Sequence, residues 1–205
     1  MTALMQNTHS YLPATVVAAI IIFLIKELLE LRRRKKERTR KLKAVSLLLA
    51  EEIEKNHWAH RSFFSALSSL QKSDEGSDKA QFRLHVSRNG TEHLRVKYEP
   101  DEEFESGQWI PKFHDEQYKK LLPILAELDE NLFKQVNLAY GELAELTHYR
   151  DMLVGFLAGE DPGPGLEQTR DFLASLTHEK MDYFKSLNSA YKAINGEDLK
   201  GWRLR

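Results

Sequence analysis

The sequence predicts a mainly α protein, with an N-terminal single transmembrane helix continuing into a cytoplasmic helical bundle that carries one β-hairpin insertion. Three observations carry that expectation. Residues 1–25 contain no Lys, Arg, Asp or Glu. They are followed by the basic run LRRRKKERTRKLK at 31–43. Later stretches repeat apolar residues at steps of three or four, the period of an amphipathic helix, and two alternating runs flank Asn89-Gly90, the signal of a hairpin.

The elements follow in order. Residues 1–10 read as a short extracytoplasmic N-terminus and 11–31 as the transmembrane helix. Residues 11–25 alone rise only about 22 Å against a hydrocarbon core of roughly 30 Å, so Leu28, Leu29 and Leu31 are needed to complete the span. Lys26 has a stem long enough to snorkel to the interface, and Glu30 can pair with it along the helix. Residues 32–43 form a basic juxtamembrane stalk, because Arg32, Arg33, Arg34, Lys35 and Lys36 point in all directions and leave no apolar stripe. Because the positive charge follows the apolar run, the positive-inside rule places the remaining chain in the cytoplasm. The reverse order would mark a cleaved signal peptide.

Residues 44–196 read as a helical domain. Leu42, Val45, Leu49, Ile53, His57, His60, Phe64 and Leu67 form one stripe, so the first helix is expected to run to about Gln71. In the hairpin, 81–99, a two-residue loop would put the two apolar sets on opposite faces. A three-residue loop of Arg88, Asn89 and Gly90 pairs Leu84 with Leu94 and Phe82 with Val96, with Gly90 in left-handed geometry. Residues 100–113 look irregular. Asp115 is expected to cap a short turn ending before Pro123, and Pro123 to open a long helix carrying Leu125, Leu132, Val136, Leu143, Leu146, Arg150, Leu153 and Leu157. GEDPGPG at 159–165 breaks the chain, one last helix ends at Asn195-Gly196, and 197–205 is a tail.

Charge is divided unevenly. Residues 26–43 hold ten Lys/Arg against Glu27, Glu30 and Glu37, or +7, and the rest holds twenty against twenty-eight Asp/Glu, or −8. The acidic body argues against direct nucleic-acid binding, so the basic run reads as a topology signal facing anionic lipid headgroups. The chain has no cysteine, which removes disulfides, thiolate metal sites and thiol nucleophiles.

Site signals are sparse. Lys26, Arg32, Arg33, Arg34, Lys35 and Lys36 are the expected membrane-surface residues. Ala14 and Ala18 have the small-xxx-small spacing of close helix approach, and Trp58, Phe63 and Phe64 widen the apolar face of the first helix as core or subunit interface. Glu54-x-x-His57 and Glu145-x-x-His148 have the spacing of carboxylate-bridged metal bundles, although chance supplies such pairs and no metal or other cofactor is expected. Arg150 interrupts an apolar stripe and is expected to snorkel from a helix end.

RNGTEH, from Arg88 to His93, resembles the R-N-x-x-x-H pattern of HEPN ribonucleases; that resemblance implies RNA cleavage at a helical dimer interface, whereas Asn89-Gly90 reads as a hairpin turn. In arrangement alone, an anchor followed by a helical domain is similar to membrane accessory proteins of type VI CRISPR systems and other phage-defence effectors. The expected function is therefore assembly into a homo-oligomer or binding of a cytoplasmic protein partner, with no catalytic residues. The alternative is a membrane-tethered metalloenzyme or HEPN-like ribonuclease.

Overall fold

In the computed structural model, which describes residues 13–72, 81–97, 107–159 and 166–200, the chain is mainly helical with one small antiparallel sheet. It divides into two units, Met1–Lys43 and Ala44–Arg205.

Helix α1 covers Ala14–Lys72. Its part within the first unit exposes apolar and basic residues alike, and its salt bridges there are local: Arg34 to Glu30 at 3.2 Å and Lys41 to Glu37 at 3.2 Å. Glu30 is thus paired one turn ahead with Arg34 rather than back with Lys26. The expected transmembrane span over 11–31 meets a limit. Among the described residues, no helix is long and apolar enough to cross a membrane. The physical reason is dilution: the described helix has twelve uncharged residues, 14–25, before Lys26, Glu27 and Glu30 enter within the next five positions.

In the second unit, α1 buries the predicted stripe. Val45, Leu49, Ile53, His57, His60, Phe64 and Leu67 are all enclosed, joined by Phe63 and Leu70. Strands β1 (Gln81–Val86) and β2 (Glu92–Lys97) pair Leu84 with Leu94 and Phe82 with Val96, in the register expected of a three-residue loop. Gly90 adopts φ +79 there, a left-handed conformation that costs other L-residues about 1 kcal/mol. Asn89 closes the turn by accepting from the Thr91 amide at 3.1 Å and the Ser87 hydroxyl at 2.5 Å.

The hairpin is part of a larger sheet. Strand β3 (Gln108–Ile110), within a segment expected to be irregular, adds to β2 by pairing Glu92 with Ile110, His93 with Trp109 and Leu94 with Gln108. Gly107 makes this approach possible, because a Cβ on it would lie 2.3 Å from the Leu94 carbonyl oxygen.

Helix α2 (Glu116–Leu128) runs through Pro123 instead of ending before it. The break falls at Asp129, whose side chain accepts from the Leu132 amide at 3.0 Å and caps α3 (Glu130–Ala158). The α3 stripe is buried as expected, from Leu132 to Leu157. Asp115 makes no side-chain cap bond to α2. The cap comes from α1: the buried Glu52 carboxylate accepts from the Gln117 amide at 2.7 Å, the Tyr118 amide at 3.0 Å and the Tyr140 hydroxyl at 2.7 Å. A carboxylate at a helix N-terminus is favoured by both the unpaired amides and the helix dipole.

The single last helix is in fact interrupted. Helix α4 (Leu166–Ser175) and helix α5 (Lys180–Asn195) are joined by a 3-10 turn, Leu176–Glu179. The Ser175 and Thr177 hydroxyls donate to carbonyls three residues back, at 2.7 and 2.8 Å, and draw this stretch into the tighter geometry. Gly196 ends α5 at φ 73, as its sequence signal predicts.

Candidate functional site

A cleft of about 500 Å³ lies within the second unit, bounded by α1, the segment after β3, α5 and the residues that follow α5. Glu51, Glu54, Lys55, Trp58 and Arg61 reach it from one face of α1, at the steps of three and four that align side chains on a helix. His57 lines it from the buried side of the same turn. Trp109, Lys112 and His114 form a second wall, and Tyr191 with residues 197–200 a third.

Each wall is held by a specific bond. The Asn56 side chain, wholly buried, donates to the His114 carbonyl at 2.6 Å and accepts from the His114 amide at 2.7 Å, so α1 grips the segment carrying Lys112. The Trp58 and Trp109 rings meet with centroids 4.2 Å apart and planes inclined by 41°. The Tyr191 hydroxyl donates to Glu54 at 2.7 Å, and the Leu199 amide donates to Asn188 at 2.7 Å. The walls are thus tied to α1 and α5 by polar bonds and a ring contact, an arrangement suited to a preformed site.

The electrostatics are uneven. Every carboxylate on the cleft has a partner: Glu51 pairs with Lys55 at 2.9 Å, Glu197 with Lys200 at 2.5 Å, and Asp198 with Lys192 at 3.2 Å. The hydrogen bond from Asn188, followed by that from Lys192, holds the Asp198 carboxyl below its ordinary range. Arg61 and Lys112 have no carboxylate partner among the described residues. The His57 Nδ1 atom is buried without a hydrogen-bond partner, and burial, with Arg61 beside it, lowers the imidazole pKa so that the ring favours its neutral form.

His60, one turn further along α1, faces the core. Its Nε2 bonds the Lys180 carbonyl at 3.0 Å, which assigns the proton to that nitrogen. Its Nδ1 is buried with no partner, and burial pushes the imidazole down to about 4.

The residues singled out in the sequence are distributed as follows. Glu54, His57 and Trp58 meet in the cleft. Phe63 and Phe64 are fully buried, which places them on the core side of the expectation, not at an exposed interface. Glu145 and His148 are exposed on α3, where Glu145 takes the Tyr183 hydroxyl at 3.3 Å. Tyr183 and Tyr191 are eight residues apart on α5, about 12 Å, so the two Glu-x-x-His pairs serve different places. Among the described residues no group of three or more His, Asp or Glu is placed to hold a metal ion.

Arg150 does not snorkel. It is buried, pairs with Glu92 on β2 and with Asp151 at 2.7 Å, and donates to the Pro111 carbonyl at 3.3 Å. This also occupies Glu92 of RNGTEH, whose Arg88, Asn89 and Gly90 form a hairpin turn rather than a helix. Ala18 is exposed on α1. Lys26, Arg32, Arg33, Arg34, Lys35 and Lys36 are exposed along α1, and Ala14 opens the helix.

The chain matches no family model, no curated protein and no solved structure.

Proposed function

We infer that the protein is a membrane-anchored, single-pass factor whose cytoplasmic helical domain acts by self-assembly or partner binding and not by catalysis. One observation carries this reading. Along residues 20–25 of α1, six consecutive large apolar side chains are exposed, Ile22 by 67% and Phe23 by 63%. Successive helical positions turn by about 100°, so six of them cover every direction. A groove on a protein partner covers one side of a helix, whereas lipid surrounds it, and a helix apolar all round is stable only when enclosed.

Leu28, Leu29 and Leu31 extend the apolar surface past Lys26. Arg32, Arg33, Arg34, Lys35 and Lys36 then follow at headgroup depth, where each basic residue contributes about 1 kcal/mol of attraction to an anionic surface. The same residues orient the second unit toward the cytoplasm under the positive-inside rule. Anchoring many copies in one plane raises their local concentration and favours homo-oligomers.

Vesicle flotation tests the reading. The full chain is expected to float with vesicles containing phosphatidylserine and to resist alkaline extraction. Recovery in the unbound fraction, or release by alkali, sinks the anchor.

A further inference from the structure

We propose that the cleft of the second unit is a binding site for a nucleotide, with the base against the Trp58 and Trp109 indoles and the phosphate on Arg61 and Lys112. The inference goes beyond the membrane reading and is independent of it, because none of these residues belongs to the apolar part of α1.

Three features select that chemistry. The first is size and surface: about 500 Å³ with two tryptophans and Tyr191 on its walls matches the concave aromatic sites that take small planar molecules, which run roughly 300 to 1,000 Å³. A planar base offers each indole an area it can cover at little entropic cost.

The second is unbalanced charge. The cleft's acids are already held by Lys55, Lys200, Lys192 and Tyr191, leaving Arg61 from α1 and Lys112 from the segment after β3 to meet an incoming anion. Two cations on separate elements exceed what a single carboxylate needs. A phosphate monoester, with a charge of about −1.5 to −2 and three acceptor oxygens, fits both, and the flat guanidinium of Arg61 can grip two of those oxygens.

The third is an unmet polar atom. His57 is 8% exposed, lines the cleft, and has a buried Nδ1 without a partner. Buried polar atoms in folded proteins are almost always bonded, so this unpartnered nitrogen, on a ring that lines the cleft, leaves hydrogen-bonding capacity unused beside it.

The test is calorimetric titration of the full chain in mild detergent with AMP, GMP, CMP and UMP, and with adenosine and inorganic phosphate as the separated halves. At least one nucleotide is expected to bind saturably, with adenosine and phosphate each weaker by about tenfold or more. Arg61→Ser and Lys112→Ser alter exposed side chains, so helical circular dichroism is expected to stay unchanged. Each is expected to weaken nucleotide binding by about tenfold, the loss of one charge-assisted bond, and to leave adenosine binding as it was. No saturable binding by any of the four nucleotides at about 1 mM overturns the proposal, as does undiminished binding by both variants.

Discussion

Acid should unfold this protein through His60, and the size of the effect follows from where the ring sits. The imidazole is 1% exposed, donates its one proton to the Lys180 carbonyl, and keeps a second nitrogen buried with nothing to bond. A second proton on that nitrogen would bring charge into the core beside His57 and Lys180, so the pKa falls from 6.5 to about 4. A histidine lowered on folding binds protons better when unfolded. Stability is therefore complete above pH 6.5, declines as the pH falls toward 4, and loses nothing further from this group below that. The drop spans about 2.5 pH units, and at 1.36 kcal/mol each it amounts to about 3 kcal/mol, a large share of a typical 5 to 15 kcal/mol. Urea unfolding followed by circular dichroism, above pH 6.5 and near pH 4, measures it. Carboxylates titrate over the same range, so the comparison is with His60→Gln, whose amide can still donate to the Lys180 carbonyl but takes up no proton. The wild type should lose about 3 kcal/mol more than the variant between the two conditions. Equal losses would falsify the assignment of this transition to His60.

Other consequences are separable. Glu52→Ala strands two backbone amides at the start of α2 and removes the acceptor of the Tyr140 hydroxyl on α3, and should cost about 3 kcal/mol in urea unfolding, with Glu52→Gln costing less because it keeps an acceptor oxygen. Arg150→Met should destabilise by about 3 to 5 kcal/mol by leaving Glu92 without its charge partner, and the double variant with Glu92→Gln should recover most of that loss. Two glycines should differ in kind: Gly90→Ala meets no atom and costs about 1 kcal/mol for its positive φ, whereas Gly107→Ala drives a methyl into the Leu94 carbonyl and should lower the melting temperature much further. Replacing Arg32, Arg33 and Arg34 by Gln should reduce flotation with phosphatidylserine vesicles at low salt and leave it nearly unchanged at high salt, where headgroup attraction is screened.

The fold was legible wherever a period was long enough to repeat. The α1 stripe from Val45 to Leu67 spans more than six turns, and the pairing of Leu84 with Leu94 follows from requiring both apolar sets on one face. What escaped was decided by contacts distant in sequence or by single backbone atoms. Strand β3 is three residues long, too short to alternate, and exists because Gly107 lets it reach the edge of β2. Pro123 reads locally as a helix start, yet α2 begins upstream because Glu52, more than sixty residues earlier, satisfies its first amides. The turn from α4 to α5 kept the leucine step from 173 to 176 intact, and only the Ser175 and Thr177 hydroxyls distinguish it.

The cleft was half legible for a related reason. Glu54, His57 and Trp58 are conspicuous on α1, but their partners Trp109, Lys112 and Tyr191 lie on elements whose approach depends on Asn56 gripping His114 and Glu54 gripping Tyr191. A signal was present: Glu52 and Asn56 sit among Leu49, Ile53 and Ala59 on the inward side of a long helix, where a polar side chain must find a partner or be excluded. Two such residues four apart imply that backbone from another element is bound there. Only the identity of that backbone, the start of α2 and the segment after β3, required the fold. The same physics joins stability to the proposed site, since a change that frees His114 from Asn56 also releases Lys112. Variants at Asn56 should therefore weaken nucleotide binding without touching the ligand, and the loss should track the loss of stability, whereas Arg61→Ser should weaken binding alone.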